Sequence, residues 1–318
     1  MRDEIQAHGP GWAGEAIEPG TRFTVALQGP LDLAASLEGF HRWGDDLVDR
    51  WDGRTLLRTT RADGQVIAFA CTVAGSVEAP ALEVAVADAR HRPAVEAAVQ
   101  GMFVQAPAAL ATLCAIDPLV ARLEQRFPGT RPVLQLDLLT ALIRAISAQQ
   151  VNLRWAATTR RRLAEAFGTR HIVAGREVYS FDPERLAGLA PAALRALQFT
   201  TRKAEYLVAT AAEVASGRLD LARLRELPDE AVIERITALR GLGRWTADWL
   251  LARTLGRPRV AAGDLGVRKA VGLAYAGGRL LAEQEVRELT AHWGAAAGVA
   301  QQLLLHALAH DPHSLVGS

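Results

Sequence analysis

The spacing of apolar and polar residues changes along this chain. Phe23, Val25 and Leu27 alternate with polar or small residues, a period of two that predicts a strand. Residues 31–40 are helical in period. Runs at 54–60, 66–73 and 81–86 are strand-like, and Asp63-Gly64 between the first two is good hairpin-turn chemistry. Residues 93–103 predict a helix that covers one face of the resulting sheet. This is an α+β pattern of antiparallel strands with helices to one side. From Asp117-Pro118 onward the apolar period becomes helical. Helices are predicted over 118–127, 136–147, 153–167, 183–189, 191–196, 201–216 and 221–226. A pair then flanks Gly241-Leu242-Gly243, and 265–276, 282–293 and 299–310 follow. Proline or glycine punctuates many of the boundaries. The one faint strand signal in this half lies near Val178-Tyr179. The expected organisation is a tail over 1–20, an α+β domain over 21–117 and a helical domain over 118–318.

Composition narrows the class. Half of the 318 residues are hydrophobic, enough for a sizeable core in about two domains. No apolar run is long enough to cross a bilayer, and the polar, partly acidic beginning MRDEIQAHGPGW is unlike a secretory signal. Two cysteines, Cys71 and Cys114, offer no metal or disulfide framework and exclude a four-cysteine iron–sulfur cluster. Both sit in apolar surroundings and read as inert core thiols. A cytoplasmic protein is expected. Charge is divided unevenly. Residues 1–117 carry 9 Arg and no Lys against 16 Asp and Glu, while the remainder carries 27 Arg and Lys against 19 acids. The second half has the electrostatics of a polyanion-binding surface.

The chemistry concentrates between Ala238 and Lys269. Pro228-Asp229-Glu230 starts a helix well, since proline suits a first turn and acids suit a helix N-terminus. Its apolar residues Val232, Ile233, Ile236 and Leu239 lead to Gly241. Trp245, Trp249, Ala252 and Leu255 resume the helical period beyond Gly243. Two helices joined by so short a turn form a hairpin. Glycines there leave bare backbone, and the N–H groups opening the second helix can approach a phosphate, aided by the helix dipole. The same spacing also fits a C-cap glycine followed by an unrelated helix. Asp264 follows 21 residues after Gly243 and precedes an apolar helix, so it reads as an N-cap or as a chemical acid. Trp245 and Trp249 share a helix face. Arg160-Arg161-Arg162 reads as a solvated helix face. His306 and His310 are also spaced i, i+4, but without a third ligand that spacing is incidental, and no metal site is expected.

Four patches in order resemble a known family. Leu239-Arg240-Gly241-Leu242-Gly243-Arg244-Trp245-Thr246-Ala247 is similar to the helix-hairpin-helix of a DNA glycosylase superfamily. Gly263-Asp264-Leu265-Gly266-Val267-Arg268 is similar to its catalytic-aspartate segment. Ile146-Ser147-Ala148-Gln149-Gln150-Val151 and Arg202-Lys203-Ala204-Glu205-Tyr206-Leu207 are the other two. The chain is identified as resembling the AlkA-type 3-methyladenine DNA glycosylases. The patches span roughly residues 133–272. The order of elements before them resembles the family's N-terminal domain, which is like half of a TATA-binding-protein fold.

The resemblance implies base-excision repair. A monofunctional glycosylase would flip alkylated purines, of 3-methyladenine or 7-methylguanine type, from duplex DNA and hydrolyse the N-glycosidic bond. It implies Asp264 as the catalytic acid, stabilising positive charge on the sugar and activating a water. Trp245, Trp249 and Trp293 would line the pocket of the flipped base, where an electron-rich ring suits a cationic purine. The Pro-x-Arg that the family carries after the third tryptophan is Gly294-Ala295-Ala296-Ala297 here. Gly241, Leu242, Gly243, Arg244 and Thr246 would hold the backbone, with Gln149 and Gln150 at the wedge that fills the emptied stack. No cofactor is required, though a monovalent cation on the hairpin carbonyls is implied. Strand-cutting relatives place a lysine just after the glycine turn; here Trp245 follows Arg244, and Lys269 is the only lysine nearby. The expected protein is a monomer of bacterial type, associated with the nucleoid, that meets damaged double-stranded DNA and no membrane. Two alternatives stand beside this reading: a glycosylase for deaminated or oxidised bases, and a non-catalytic helix-hairpin-helix DNA-binding protein.

Overall fold

The structure, a computed structural model, describes residues 20–316. The tail expected at 1–20 lies, apart from Gly20, outside them. Five antiparallel strands come first: β1 (Thr21–Ala26), β2 (Arg50–Trp51), β3 (Thr55–Ala62), β4 (Gln65–Gly75) and β5 (Pro80–Val86), in the spatial order β1-β5-β4-β3-β2. Asp63 and Gly64 turn β3 into β4 with positive φ at both residues, as a two-residue hairpin requires. Helix α1 (Leu33–Leu37) follows β1 and continues as a short 3-10 turn to Phe40; α2 (Arg92–Gln100) follows β5. The period-two pattern sends Phe23, Val25, Phe69, Leu82, Val84 and Val86 to one face, where Val95 and Val99 of α2 complete a core. Cys71 lies in that core, and burial pushes its thiol up to about 12. Cys114 is half-buried.

The rest is mainly helical: α3 (Pro107–Ile116), α4 (Pro118–Arg126), α5 (Leu138–Ala148), α6 (Leu153–Phe167), α7 (Pro183–Ala187), α8 (Pro191–Ala196), α9 (Thr201–Ala215), α10 (Leu221–Glu226), α11 (Asp229–Thr237), α12 (Arg244–Arg253), α13 (Leu265–Tyr275), α14 (Glu283–Leu289) and α15 (Ala297–His310). Side chains just ahead of the first turns organise many of these starts. Asp117, Asp137, Asn152, Asp182, Thr200, Asp220 and Asp264 each accept from backbone N–H groups of the helix they open. Two apolar cores result. One joins α5, α6, α9, α11 and the inner face of α12. The other joins α3, α4, α13 and α15.

Three features depart from the sequence reading. A second hairpin, β6 (Thr169–Val173) and β7 (Arg176–Ser180), interrupts the helical half. Its Val173 and Val178 pack with Leu57 and Ala70 on the sheet face opposite α2, so both faces of the sheet are covered, not one. Helix α3 was not predicted; it sits just before Asp117 yet buries Leu110 and Leu113 in the second helical core. Arg160 of the triple-arginine run is buried, its Nε 2.8 Å from Asp46 and its Nη1 3.0 Å from Ser147. Arg144 also bonds Asp46 and Asp49, and Arg58 bonds Asp49 at 2.7 Å. Burial alone would raise the Asp46 carboxyl, but the guanidinium groups of Arg144 and Arg160 outweigh it and hold the group below its ordinary range. This network ties the acids ahead of β2 to α5 and α6.

Candidate active site at the seam of the two helical cores

Helix α12 turns Ala247, Leu250 and Leu251 into the first core. Its opposite face carries Trp245 and Trp249 toward the start of α13, which belongs to the second core. Asp264 stands at that seam. Its Oδ1 accepts the backbone N–H groups of Gly266 at 2.8 Å and Val267 at 3.1 Å. Its Oδ2 accepts the indole N–H groups of Trp245 at 3.0 Å and Trp249 at 3.3 Å. The acid is thus both the helix cap and the meeting point of the two rings. Helix α15 braces the approach. Gln301 accepts the N–H of Ala261, three residues before the acid, at 2.7 Å, and Gln302 accepts from Arg253 at 2.5 Å.

Arg253 is a site residue that sequence reading missed. It continues the face Trp245–Trp249 by one more i, i+4 step. Its guanidinium carbon lies 5.4 Å from the Trp249 ring centroid. Burial pulls its pKa down to about 10, partly opposed by the charge of Asp264. Leu265, also missed, is 53% exposed immediately after the acid.

Trp293 goes elsewhere. It is 1% exposed in the second core, where its indole donates to the Tyr275 hydroxyl at 3.3 Å. Tyr275 in turn donates to Asp117 at 2.6 Å. A ring so enclosed offers no free face beside Trp245 and Trp249, so the expected third wall is a core residue here.

The hairpin has a tight interior and an open tip. Gly241 adopts φ +87°, and a Cβ there would stand 2.1 Å from the Tyr206 ring. Gly243 has nothing within 4 Å of the corresponding position, so its backbone faces open space. No side chain caps α12, which leaves its first N–H groups available. Leu242 and Thr246 were expected at the DNA surface, but their side chains are buried at 4% and 2% exposure. Leu242 anchors the turn in the first core, so backbone alone is on offer at these two positions. Arg244 is partly exposed and reaches Asp248 at 3.2 Å, a fully buried carboxylate that also binds Arg259 at 2.9 Å and Arg287 at 2.7 Å.

Gln149 and Gln150 separate in role. The Gln149 amide donates to the Gly241 carbonyl at 2.8 Å, bracing the hairpin from the end of α5. A cation held at the turn would need free carbonyls, and this one keeps a single lone pair. Gln150 is exposed with φ +54°, at the tip between α5 and α6. Leu153 and Trp155 beside it are 43% and 38% exposed, an apolar rim that sequence reading passed over. Lys203 donates to the Ser147 carbonyl at 2.8 Å, and burial lowers its pKa. Lys269 is exposed. A cavity of about 380 Å³ lies against the sheet at Arg22, Thr72, Glu83 and Arg176 and shares no residue with this cluster.

A glycine-turned helical hairpin with an acid and its paired indoles at the next helix start defines a helix-hairpin-helix glycosylase fold. Residues 143–295, just under half of the chain, match the model of the HhH-GPD superfamily of base excision DNA repair proteins. A DNA-3-methyladenine glycosylase of Bacillus subtilis (strain 168) is 30% identical over 179 residues, 56% of this chain and 59% of that protein. DNA-3-methyladenine glycosylase 2 of Escherichia coli (strain K12) is 29% identical over 138 residues, 43% of this chain and 48% of that protein. The matched stretches thus span about half the length of these curated relatives. A 3-methyladenine DNA-glycosylase structure from Archaeoglobus fulgidus shares the fold, with a TM-score of 0.79 at 24% identity over 91% of this chain and 99% of the other.

Proposed function

We propose that the chain is a monofunctional DNA glycosylase that releases alkylated purines from duplex DNA, working as a monomer on nucleoid DNA in the cytoplasm. The observation that carries this reading is Asp264 Oδ2 held between two indole N–H groups at the mouth between α12 and α13. A flipped purine entering there meets the faces of Trp245 and Trp249 as walls. As the C1′–N bond breaks, its electron pair leaves with the base, and positive charge develops on the sugar beside the carboxylate. Water then bonds C1′ and gives up a proton to the Asp264 carboxylate. Both indoles point at Oδ2, so a water activated by that oxygen has to displace one of them. The free N–H groups after Gly243 and the exposed Arg244 suit a phosphate on the damaged strand, and Gln150 suits the gap left by the base.

The amines support a single activity. The two lysines of the chain are Lys203, engaged with the Ser147 carbonyl, and Lys269, exposed on α13. A Schiff base needs an amine at the sugar carbon, and Trp245 stands where strand-cutting relatives carry it. The test is base release from a panel of single-lesion duplexes, with borohydride added in parallel. Free methylated purine, intact abasic strands and no covalent trapping are expected. Trapping that vanished in Lys269→Ala would overturn the monofunctional reading.

One observation favours a second substrate class. Arg253 already sets a cation beside the Trp249 ring. A neutral deaminated or oxidised base with acceptor oxygens would be repelled less by that charge than a methylated cation. Preferential release of such bases in the panel, lost in Arg253→Ala, would replace alkylated purines with this class. Lesion binding without release of any base would leave a binding protein only.

A further inference from the structure

The two histidines that sequence spacing left without a third partner gain one in the fold. His306 and His310 lie one turn apart on α15, with ring centroids 4.4 Å apart and planes within 28° of parallel. Glu38, in the 3-10 turn after α1, brings Oε2 to 2.6 Å from His310 Nε2 across 272 residues of chain. One ligand atom from each of the three lies within 4.8 Å of the others. We propose that Glu38, His306 and His310 form a binding site for a divalent transition metal of the zinc class, which fastens the sheet-bearing part of the chain to its last helix.

The donor set suits such an ion. Imidazole nitrogen and one carboxylate oxygen are common ligands of zinc, at about 2.0–2.2 Å, usually in a tetrahedral arrangement. Ligand atoms on such a centre stand roughly 3.3 Å from one another, by geometry from those bond lengths. The Glu38–His310 contact, 2.6 Å, therefore opens by less than about 1 Å, and the His306 nitrogen, within 4.8 Å of the other two ligand atoms, closes by at most about 1.5 Å. None of the three is fully enclosed, so the shift needs only side-chain rotation, and water can fill a remaining position.

The surroundings prepare the ligands. The Phe127 ring packs edge-on against His306 at 4.9 Å and limits its rotation. Asp32 adds a second acid to the local field. Arg42 is the opposing cation, and its guanidinium donates to the Ala309 carbonyl at 3.3 Å. The site shares no residue with the Asp264 cluster, so its occupancy is a matter of stability rather than of bond cleavage.

The test uses the full chain, stripped with a chelator and titrated with zinc or cobalt(II). One equivalent should bind, and melting should rise by several degrees with zinc in large excess over its dissociation constant. Cobalt should give visible bands of a nitrogen- and oxygen-ligated, low-coordinate ion. Both signals should be lost in the His306→Ala, His310→Ala double variant. Glu38→Gln keeps a hydrogen-bond partner for His310 while removing the anionic ligand, so it serves if the double variant fails to fold. It should weaken zinc binding at least about tenfold, the scale on which metal-site substitutions act. No cobalt spectrum and no melting shift in the wild type would overturn the proposal, as would unchanged signals in either variant.

Discussion

The two oxygens of Asp264 have separate roles: Oδ1 closes the first turn of α13, and Oδ2 receives two indoles. An amide can reproduce one of these roles but not both. Asp264→Asn can still cap the helix through its oxygen, but its NH₂ then faces two N–H donors where an acceptor stood. Base release should fall by at least about a hundredfold, the scale of losing one preorganised electrostatic group, while affinity for lesion DNA stays near wild type. Wild-type release from the variant would remove Asp264 from the mechanism. Trp249→Phe keeps a ring and deletes one donor, so it should retain more activity than Trp249→Ala; equal losses would mean the indole N–H, not stacking, is what counts. At this scale much of the cluster was legible. A cap position before an apolar helix exposed Asp264, and an i, i+4 step paired the tryptophans. The same step leads from Trp249 to Arg253, yet arginine at a helix end reads first as a solvated charge. Trp293 was not legible, because tryptophan suits a pocket and a core equally. Tyr275 and Asp117, far away in the chain, decide it.

Elements were legible where their period was strong. Strands β3 to β5 and the long helices declare themselves through alternation or a one-face apolar stripe. The pair β6–β7 does not, since Val173 and Val178 are its only buried apolar residues while charged residues crowd both strands. Its Ala174-Gly175 turn, with positive φ at both residues, was the available signal. Helix α3 hid for the opposite reason: PAALATLCAI is apolar on nearly every side, so no stripe stands out. The helical hairpin owes its closeness to Gly241 packed on Tyr206. Gly241→Ala adds a Cβ where the ring lies and an L side chain at positive φ. Each effect costs about 1–3 kcal/mol, and melting should fall accordingly. Tyr206→Ala in the same chain should relieve the steric part and leave the backbone part. A Gly241→Ala variant as stable as wild type would show that the hairpin has slack.

Across the whole molecule, charge joins what the sequence separates. The first 117 residues carry an excess of acids, 16 against 9 arginines, and the remainder an excess of bases. The fold shows Asp46 and Asp49 already engaged by Arg58, Arg144 and Arg160. Asp46→Asn leaves buried guanidinium groups short of a counter-charge and should cost about 3–5 kcal/mol, the scale of breaking a buried pair from one side. Linkage gives the sign of its pH dependence. A carboxyl whose folded pKa lies below its ordinary value contributes stability above that value and loses it as pH falls through the folded pKa. The wild type should therefore lose part of its margin over Asp46→Asn below about pH 4, and equal acid unfolding curves would contradict this. The fold also makes the sheet-bearing part of the chain more than an attachment. Its Asp46 and Asp49 occupy Arg144 of α5 and Arg160 of α6, where free guanidinium groups would attract phosphate. A fragment cut after residue 117 would release those arginines and strip the cover from β6–β7. It should hold undamaged DNA more tightly than the full chain, with a steeper fall in affinity as salt rises. The positive charge that α5 and α6 can present is thus set in part by acids more than ninety residues away in the chain.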